Sequence, residues 1–155
     1  MPETTFVPAE FEPTDRAAYA QWTTERVRFG DLDPLGHVNN NLFGVYFETA
    51  RLGFFDATRL HEEANAGTAI GAPREATVVV RITIEFLAEL GYPADLEIGT
   101  RLTGLGGSSF TYRQALFAGA TCHALAETVS VLFDLGTRRP KPLSEAQRAR
   151  LIAFS

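Results

Sequence analysis

Residues 28–41 carry more groups capable of chemistry than any other stretch of the chain. The run contains two carboxylates, Asp31 and Asp33, the imidazole of His37, and three successive asparagine amides at 39–41. It lies between a strand-like pattern and a helix-like pattern, and loops between rigid elements are where catalytic groups tend to lie. We therefore predict that this loop forms the active site.

The composition of the loop suits acyl transfer. A carboxylate at the start of a buried helix can attack a carbonyl carbon, or take a proton from a water molecule that does. The unpaired amides at the helix N-terminus can then stabilise the oxyanion that develops. Gly36 lets the backbone approach a substrate closely, and the asparagine amides can bind the substrate or the water. Composition alone fits an ordinary turn about as well, because Asp, Asn, Gly and Pro are also turn and helix-cap residues.

A metal site is a weaker interpretation of the same loop. Its carboxylates resemble the start of a calcium-binding loop, but Leu35 and Leu42 occupy positions where that loop needs oxygen ligands. The histidines of the chain are widely separated and form no zinc-ligand pattern. We therefore expect no metal ion, and no other cofactor.

The elements that must hold this loop follow from the periodicity of the sequence. Residues 1–15, which contain three prolines, are predicted to form an extended arm, and residues 16–155 a single domain. A short helix is expected from Asp15 to Gln21. A strand pattern at 22–29 places Val27 and Phe29 on one face and leads into the loop.

A helix from Leu42 to about Ala57 follows the loop. It is apolar over most of its circumference, which is typical of a helix that other elements surround. Alternating patterns predict four strands after it, at 76–86, 95–105, 108–118 and 121–134, joined by turns short enough for an antiparallel meander. Ser144 and Gln147 form a capping box that begins a closing helix ending near Ile152. The order predicts an α+β fold in which an antiparallel sheet curls around one long central helix.

Bulk properties exclude several classes of function. The net charge of −5 argues against a basic face for nucleic acid, and no run reaches the roughly 20 apolar residues that span a bilayer. Cys122 is the only cysteine, so an internal disulfide is impossible and a reducing compartment is expected. The acidic N-terminal residues do not resemble a signal peptide. We therefore expect a cytoplasmic protein that binds neither nucleic acid nor membrane.

The loop also resembles a known family. Three segments are similar to hotdog-fold acyl-CoA thioesterases of the 4-hydroxybenzoyl-CoA thioesterase-like group, and the resemblance extends over residues 22–152. The first segment, Arg28-Phe29-Gly30-Asp31-Leu32-Asp33-Pro34-Leu35-Gly36-His37-Val38-Asn39-Asn40, is long and specific. The other two support it and are Gly99–Tyr112, which includes Gly107-Ser108-Ser109, and Thr137–Leu143.

The resemblance implies a hotdog fold and the hydrolysis of an acyl-CoA thioester. Asp33 would be the nucleophile or general base, with amides of the helix N-terminus as oxyanion donors, and Asp31 would be a structural partner. His37, Asn39 and Asn40 complete the implied catalytic set. The residues assigned to substrate binding are Tyr46, Gly36, Ser108, Ser109 and Arg101. The resemblance further implies a homodimer or homotetramer with active sites at the interface between subunits.

One departure from the family affects the carrier of the acyl group. Many relatives have Arg or Lys just before the serine pair, where it can reach a coenzyme A phosphate, but this chain has Gly107. Arginines elsewhere could replace that charge, and the candidates are Arg101, Arg113, Arg138 and Arg139. Coenzyme A is the expected carrier, and an acyl carrier protein is the alternative.

Two other functions are compatible with the sequence. A hotdog hydratase or dehydratase would need a histidine beside a carboxylate, for which His37 with Asp33 or Asp31 is the candidate pair. A catalytically silent dimer that binds acyl thioesters is the second alternative, although the intact Asp33 loop argues against it.

Overall fold

Strands and helices follow one another in an order close to the predicted one, and the computed structural model describes them over residues 6–155. The first five residues of the predicted arm lie outside the described part, and the boundary between arm and domain stays a prediction. The strands are β1 (Gln21–Arg26), β2 (Glu75–Phe86), β3 (Asp95–Leu105), β4 (Ser109–Ala118), β5 (Thr121–Asp134) and β6 (Arg139–Pro140). The α-helices are α1 (Asn40–Thr58) and α2 (Glu145–Ile152).

All strands join one antiparallel sheet in the order β1-β3-β4-β5-β2, with the short β6 also paired to β5. The predicted meander is confirmed for β3, β4 and β5, which are joined by tight turns. The strand at 75–86 does not continue it. This strand instead pairs with β5, so that residues 87–94 carry the chain across the sheet to β3. Register shifts in the β2–β5, β3–β4 and β4–β5 pairings mark bulges, which bend strands and increase their twist.

Helix α1 packs on the sheet, and together they form the α+β hotdog fold that the sequence predicts. The sheet covers one side of the helix only, which corrects the prediction of a helix buried all round. Its buried residues recur at helical spacing and are Phe43, Tyr46, Phe47, Ala50, Phe54 and Thr58. Val45 and Leu52, on other faces, are exposed.

The start of the domain differs from its prediction in two places. The helix expected from Asp15 is a single 3₁₀ turn at Arg16–Ala18, although Asp15 does cap it by accepting a hydrogen bond from the Ala17 amide at 2.9 Å. The chain becomes extended at once because β1 begins at Gln21. Strand β1 ends before Phe29, so the two residues do not share a face as predicted. Val27 is buried, with 1% exposure, and Phe29 is exposed at 73%.

The closing helix forms as expected. Ser144 and Gln147 make both hydrogen bonds of the capping box, at 3.0 and 3.1 Å between side chain and amide. Within residues 6–155 no helix is both long enough and apolar enough to cross a membrane.

Candidate active site

The loop before α1 folds into a tight turn closed by backbone hydrogen bonds. A bridge joins Leu32 to Val38, the amide of Asp33 donates to the carbonyl of His37 at 2.8 Å, and the amide of Gly36 donates back to Asp33 at 3.0 Å. Gly36 has a φ of +82°, a conformation that only glycine adopts without strain. The turn therefore holds Asp33 and His37 opposite each other in one loop that backbone hydrogen bonds close.

The two carboxylate oxygens of Asp33 have different surroundings. Its Oδ1 accepts hydrogen bonds from the amides of Leu35 at 2.8 Å and His37 at 3.3 Å. Within residues 6–155, its Oδ2 accepts no hydrogen bond. A carboxylate that is oriented through one oxygen keeps the other available to a water molecule or a carbonyl carbon.

Asp31 has the opposite environment. It is buried at 6% exposure, and its Oδ2 accepts hydrogen bonds from the hydroxyl of Tyr46 at 2.6 Å and the amide of Arg28 at 2.9 Å. Burial raises the pKa of Asp31, but these bonds and the nearby Arg28 guanidinium outweigh it and hold the pKa below its usual value. Burial and the Asp31 contact raise the pKa of the Tyr46 phenol. Asp31 is thus the anchored carboxylate that joins the loop to α1.

Helix α1 begins with a well-defined cap. Asn39 accepts the Asn41 amide on its side-chain Oδ1 at 3.0 Å and the Leu42 amide on its carbonyl at 2.9 Å. The Asn39 amide itself donates to the carbonyl of Asp31 at 2.9 Å, which fixes the helix start to the loop. Among the described residues, the amide of Asn40 has no acceptor. It is the helix N-terminal donor left free for a ligand.

A groove of about 390 Å³ opens beside the loop and the helix start. Polar groups of Asp33, His37 and Asn40 line it together with Glu89, which the sequence analysis did not single out. The rest of the wall is apolar and consists of Leu35, Val38, Phe43, Phe86, Leu87, Ala88 and Leu90. Asp33 and Asn40 thus both border a groove whose remaining wall is apolar.

The structure does not gather every residue predicted for the site. Asp33, Gly36, His37, Asn39 and Asn40 lie together in the loop and helix start. Tyr46 lies beneath them, with no exposed surface and its hydroxyl donating to Asp31, so it supports the loop from below.

Arg101, Ser108 and Ser109 lie elsewhere in the chain. The Arg101 guanidinium donates to the carbonyl of Ala18 at 3.0 Å and covers the ring of Phe11 at 4.6 Å, which ties the N-terminal segment to the sheet. The serines precede Phe110, which packs with Phe54 near the end of α1. A helix of 19 residues is about 28 Å long, so they are remote from the loop within one chain.

Comparison with known proteins decides the family. Residues 27–151 match the model of the thioesterase-like superfamily. The chain belongs to this superfamily. No curated protein matches it significantly.

Solved structures of similar fold agree with membership in the thioesterase-like superfamily. A Thermus thermophilus thioesterase complexed with coenzyme A and Zn is 33% identical over 88% of this chain and 95% of its own, with a TM-score of 0.71. A thioesterase superfamily protein from Jannaschia is 28% identical over 90% of this chain and 88% of its own, with a TM-score of 0.76. A Pseudomonas aeruginosa protein is 27% identical over 90% and 94%, with a TM-score of 0.75.

For this member of the superfamily, residues 6–155 contain no cluster of three or more His, Cys, Asp or Glu side chains that could hold a metal ion. His37, the histidine of the loop, lies next to a carboxylate. The Nε2 of His37 lies 3.2 Å from Oε2 of Glu89. Sequence reasoning missed Glu89 because it lies far from His37 along the chain, and its position beside the loop follows only from the crossing of residues 87–94.

Proposed function

We propose that this protein is an acyl-CoA thioesterase of the 4-hydroxybenzoyl-CoA thioesterase-like group, which releases a free acid and the coenzyme A thiol. The observation that carries the proposal is that Asp33 and Asn40 line one groove, while Oδ2 of Asp33 and the amide of Asn40 have no hydrogen-bond partner among the described residues. Membership in the thioesterase-like superfamily supports the reaction class. The coenzyme A in the Thermus thermophilus relative supports the carrier, for which an acyl carrier protein is the alternative.

In the proposed reaction, the thioester carbonyl lies with its oxygen near the Asn40 amide. Asp33 takes a proton from a water molecule, whose oxygen forms a bond to the carbonyl carbon. The amide stabilises the oxyanion, and its collapse breaks the carbon–sulfur bond. The thiolate leaves and recovers the proton from Asp33. Direct attack by Asp33 would give an anhydride that water then hydrolyses, and it uses the same carboxylate.

The other predicted residues have supporting roles in this proposal. Asn39 caps α1 and so fixes the position of Asn40, Gly36 allows the turn, and His37 lines the groove beside Asp33. The apolar wall of the groove receives the acyl group. Among the described residues, the imidazole of His37 forms no hydrogen bond or ion pair with Asp31 or Asp33, the partners expected for a hydratase, and its carboxylate neighbour is Glu89 instead.

We also propose that two copies of the chain pair through β2, as a homodimer or as half of a homotetramer. This strand is at the edge of the sheet, and it exposes apolar side chains, namely Val78, Val80, Ile82 and Phe86. An exposed, apolar sheet edge is a template for pairing with another strand. An interface site would also account for Ser108, Ser109 and Arg101, which one chain does not bring to its own loop.

Sedimentation of the purified protein tests this assembly. We expect a dimer or tetramer at micromolar concentration, and a Val80→Lys variant that shifts towards monomer because it places a charge in the apolar interface. A wild-type protein that sediments as a monomer would contradict the proposal. A cytoplasmic location remains part of the proposal, since a single cysteine suits a reducing compartment.

Thiol release tests the activity itself. Benzoyl-, butyryl- and decanoyl-CoA are each mixed with the enzyme and a chromogenic disulfide reagent, in parallel with an Asp33→Asn variant. Removal of a general base lowers kcat by about 100-fold or more, and we expect that loss with unchanged folding. Equal turnover by the variant would overturn the role of Asp33, and no release from any substrate by folded wild-type protein would overturn the activity.

A further inference from the structure

The groove contains a carboxylate that the proposed reaction has not used. Glu89 lies in the crossing segment after β2, and its neighbours are fixed by hydrogen bonds on both sides. The amides of Leu87 and Ala88 donate to the carbonyl of His123 at 2.9 and 3.2 Å, and the carbonyl of Leu90 accepts the Val38 amide at 2.8 Å. The backbone at Glu89 is therefore held against the catalytic loop.

The contact between His37 and Glu89 joins the two segments through side chains. Nε2 of the imidazole is 3.2 Å from Oε2 of the carboxylate, which is within ion-pair distance, and the two side chains are 41% and 78% exposed. A neutral imidazole carries its proton on one nitrogen only, and a carboxylate favours the tautomer that directs the N–H towards it. With the proton on Nε2, the other nitrogen, Nδ1, has a free lone pair. No described residue forms a hydrogen bond to Nδ1.

We propose that Glu89 is a positioning residue, which fixes the tautomer and orientation of His37 so that Nδ1 accepts a hydrogen bond from the attacking water. The inference rests on the proposed thioesterase activity and deepens it. The water donates one hydrogen to Asp33, which removes it, and its other hydrogen to Nδ1, which orients the oxygen lone pair towards the carbonyl carbon. Glu89 exchanges no proton and touches no reacting atom. Its effect passes entirely through His37.

A double-mutant cycle separates this role from a general structural one. The variants are Glu89→Gln, His37→Gln and the combination of both, assayed with whichever of benzoyl-, butyryl- and decanoyl-CoA the wild-type enzyme hydrolyses fastest. Glu145→Gln is the matched control, because Glu145 is an exposed carboxylate of α2 that does not line the groove. Asp33→Asn is assayed in parallel.

We expect Glu89→Gln to lower kcat by about 10-fold with KM changed less than twofold, the scale of coupling between contacting residues. In the His37→Gln background the same substitution has no further effect, and Glu145→Gln matches the wild type. Wild-type kcat in Glu89→Gln, or an equal loss in both backgrounds, overturns the inference about Glu89. If turnover still depends on Asp33 in that case, the proposed function stands. Turnover that survives Asp33→Asn, or that is absent from the folded wild type, overturns both.

Discussion

Two carboxylates of this chain, Asp33 and Glu75, occupy environments that differ in almost every respect. Asp33 is partly exposed, lines a groove, and accepts hydrogen bonds from backbone amides through one oxygen only among the described residues. Glu75 at the start of β2 has a side chain that is only 1% exposed, and both of its oxygens are engaged by partners. In the proposed function Asp33 is the carboxylate that reacts, whereas Glu75 holds separate segments of the chain together.

The partners of Glu75 come from three separate segments. Its Oε2 accepts from Nζ of Lys141 at 2.6 Å, and its Oε1 accepts from the Gln147 amide at 2.8 Å and lies 2.9 Å from Nδ1 of His61. The other nitrogen of His61 is 2.8 Å from the hydroxyl of Thr77. The network thus joins three parts of the chain to the edge strand β2. They are the segment after β6, helix α2 and the turn after α1.

The more deeply buried and more highly coordinated carboxylate is thus the structural one. A carboxylate with every acceptor position filled has no orbital left for a substrate, whereas one that is oriented but incompletely bonded does. Asp31, only two positions from Asp33, follows the pattern of Glu75 in being buried and bonded to Tyr46 and Arg28. Asp31 and Asp33 each accept hydrogen bonds from described residues through one oxygen only, so burial, and not the number of bonded oxygens, separates these two carboxylates.

The largest effect on stability is expected from removing Glu75. Glu75→Ala leaves the Gln147 amide and the imidazole of His61 without their acceptor and creates a cavity, at a cost of about 3 kcal/mol in the free energy of unfolding. Urea denaturation measures this cost. Turnover by the folded fraction should remain near wild type, because the network lies outside the groove. A loss below about 1 kcal/mol would show that the network contributes little.

A smaller effect is expected from acid. Burial raises the pKa of Glu75, but hydrogen bonds from Lys141 and His61 outweigh it and hold the pKa below the ordinary value of 4.5, and Asp31 is likewise held below 3.8. The unfolded chain therefore takes up protons at these sites before the folded chain does. Stability is fully present above about pH 5 and falls as the pH drops through the lowered values.

Chemical denaturation between pH 3 and pH 6 measures this dependence. The fall in unfolding free energy should be shallower in Glu75→Ala, which has lost one of the two carboxylates. An equal fall in the variant and the wild type would show that Glu75 does not contribute to the acid sensitivity.

The sequence predicted the parts of the fold that local patterns encode. Alternation and short turns located β3, β4 and β5, the capping box located α2, and the order of residues 28–40 located the loop. The pairing of β2 with β5 was not predictable, because a strand pattern does not specify which distant strand it joins. The one-sided burial of α1 was also missed, since a helix that is apolar over most of its circumference has the same pattern whatever covers it.

The candidate site divides in the same way. Asp33, His37 and the asparagines lie close together in the sequence, so a single motif identifies them as a group. Glu89 reaches the groove only because residues 87–94 cross the sheet, and no local pattern marks it. In the sequence, Tyr46 is one of several aromatic residues on a predicted helix. Its hydrogen bond to Asp31 depends on how α1 packs against the loop, which the sequence pattern does not specify.

The most direct test of the account compares Asp33→Asn with Asp31→Asn, two substitutions of the same kind two residues apart. Both kcat for acyl-CoA hydrolysis and the free energy of unfolding are measured for each. Asp33→Asn should lower kcat by about 100-fold or more and leave stability within about 0.5 kcal/mol. Asp31→Asn should cost about 2 kcal/mol of stability, because a charged acceptor of the Tyr46 and Arg28 bonds is lost. A pair of variants in which Asp31→Asn abolishes turnover at full stability, while Asp33→Asn remains active, would contradict the account.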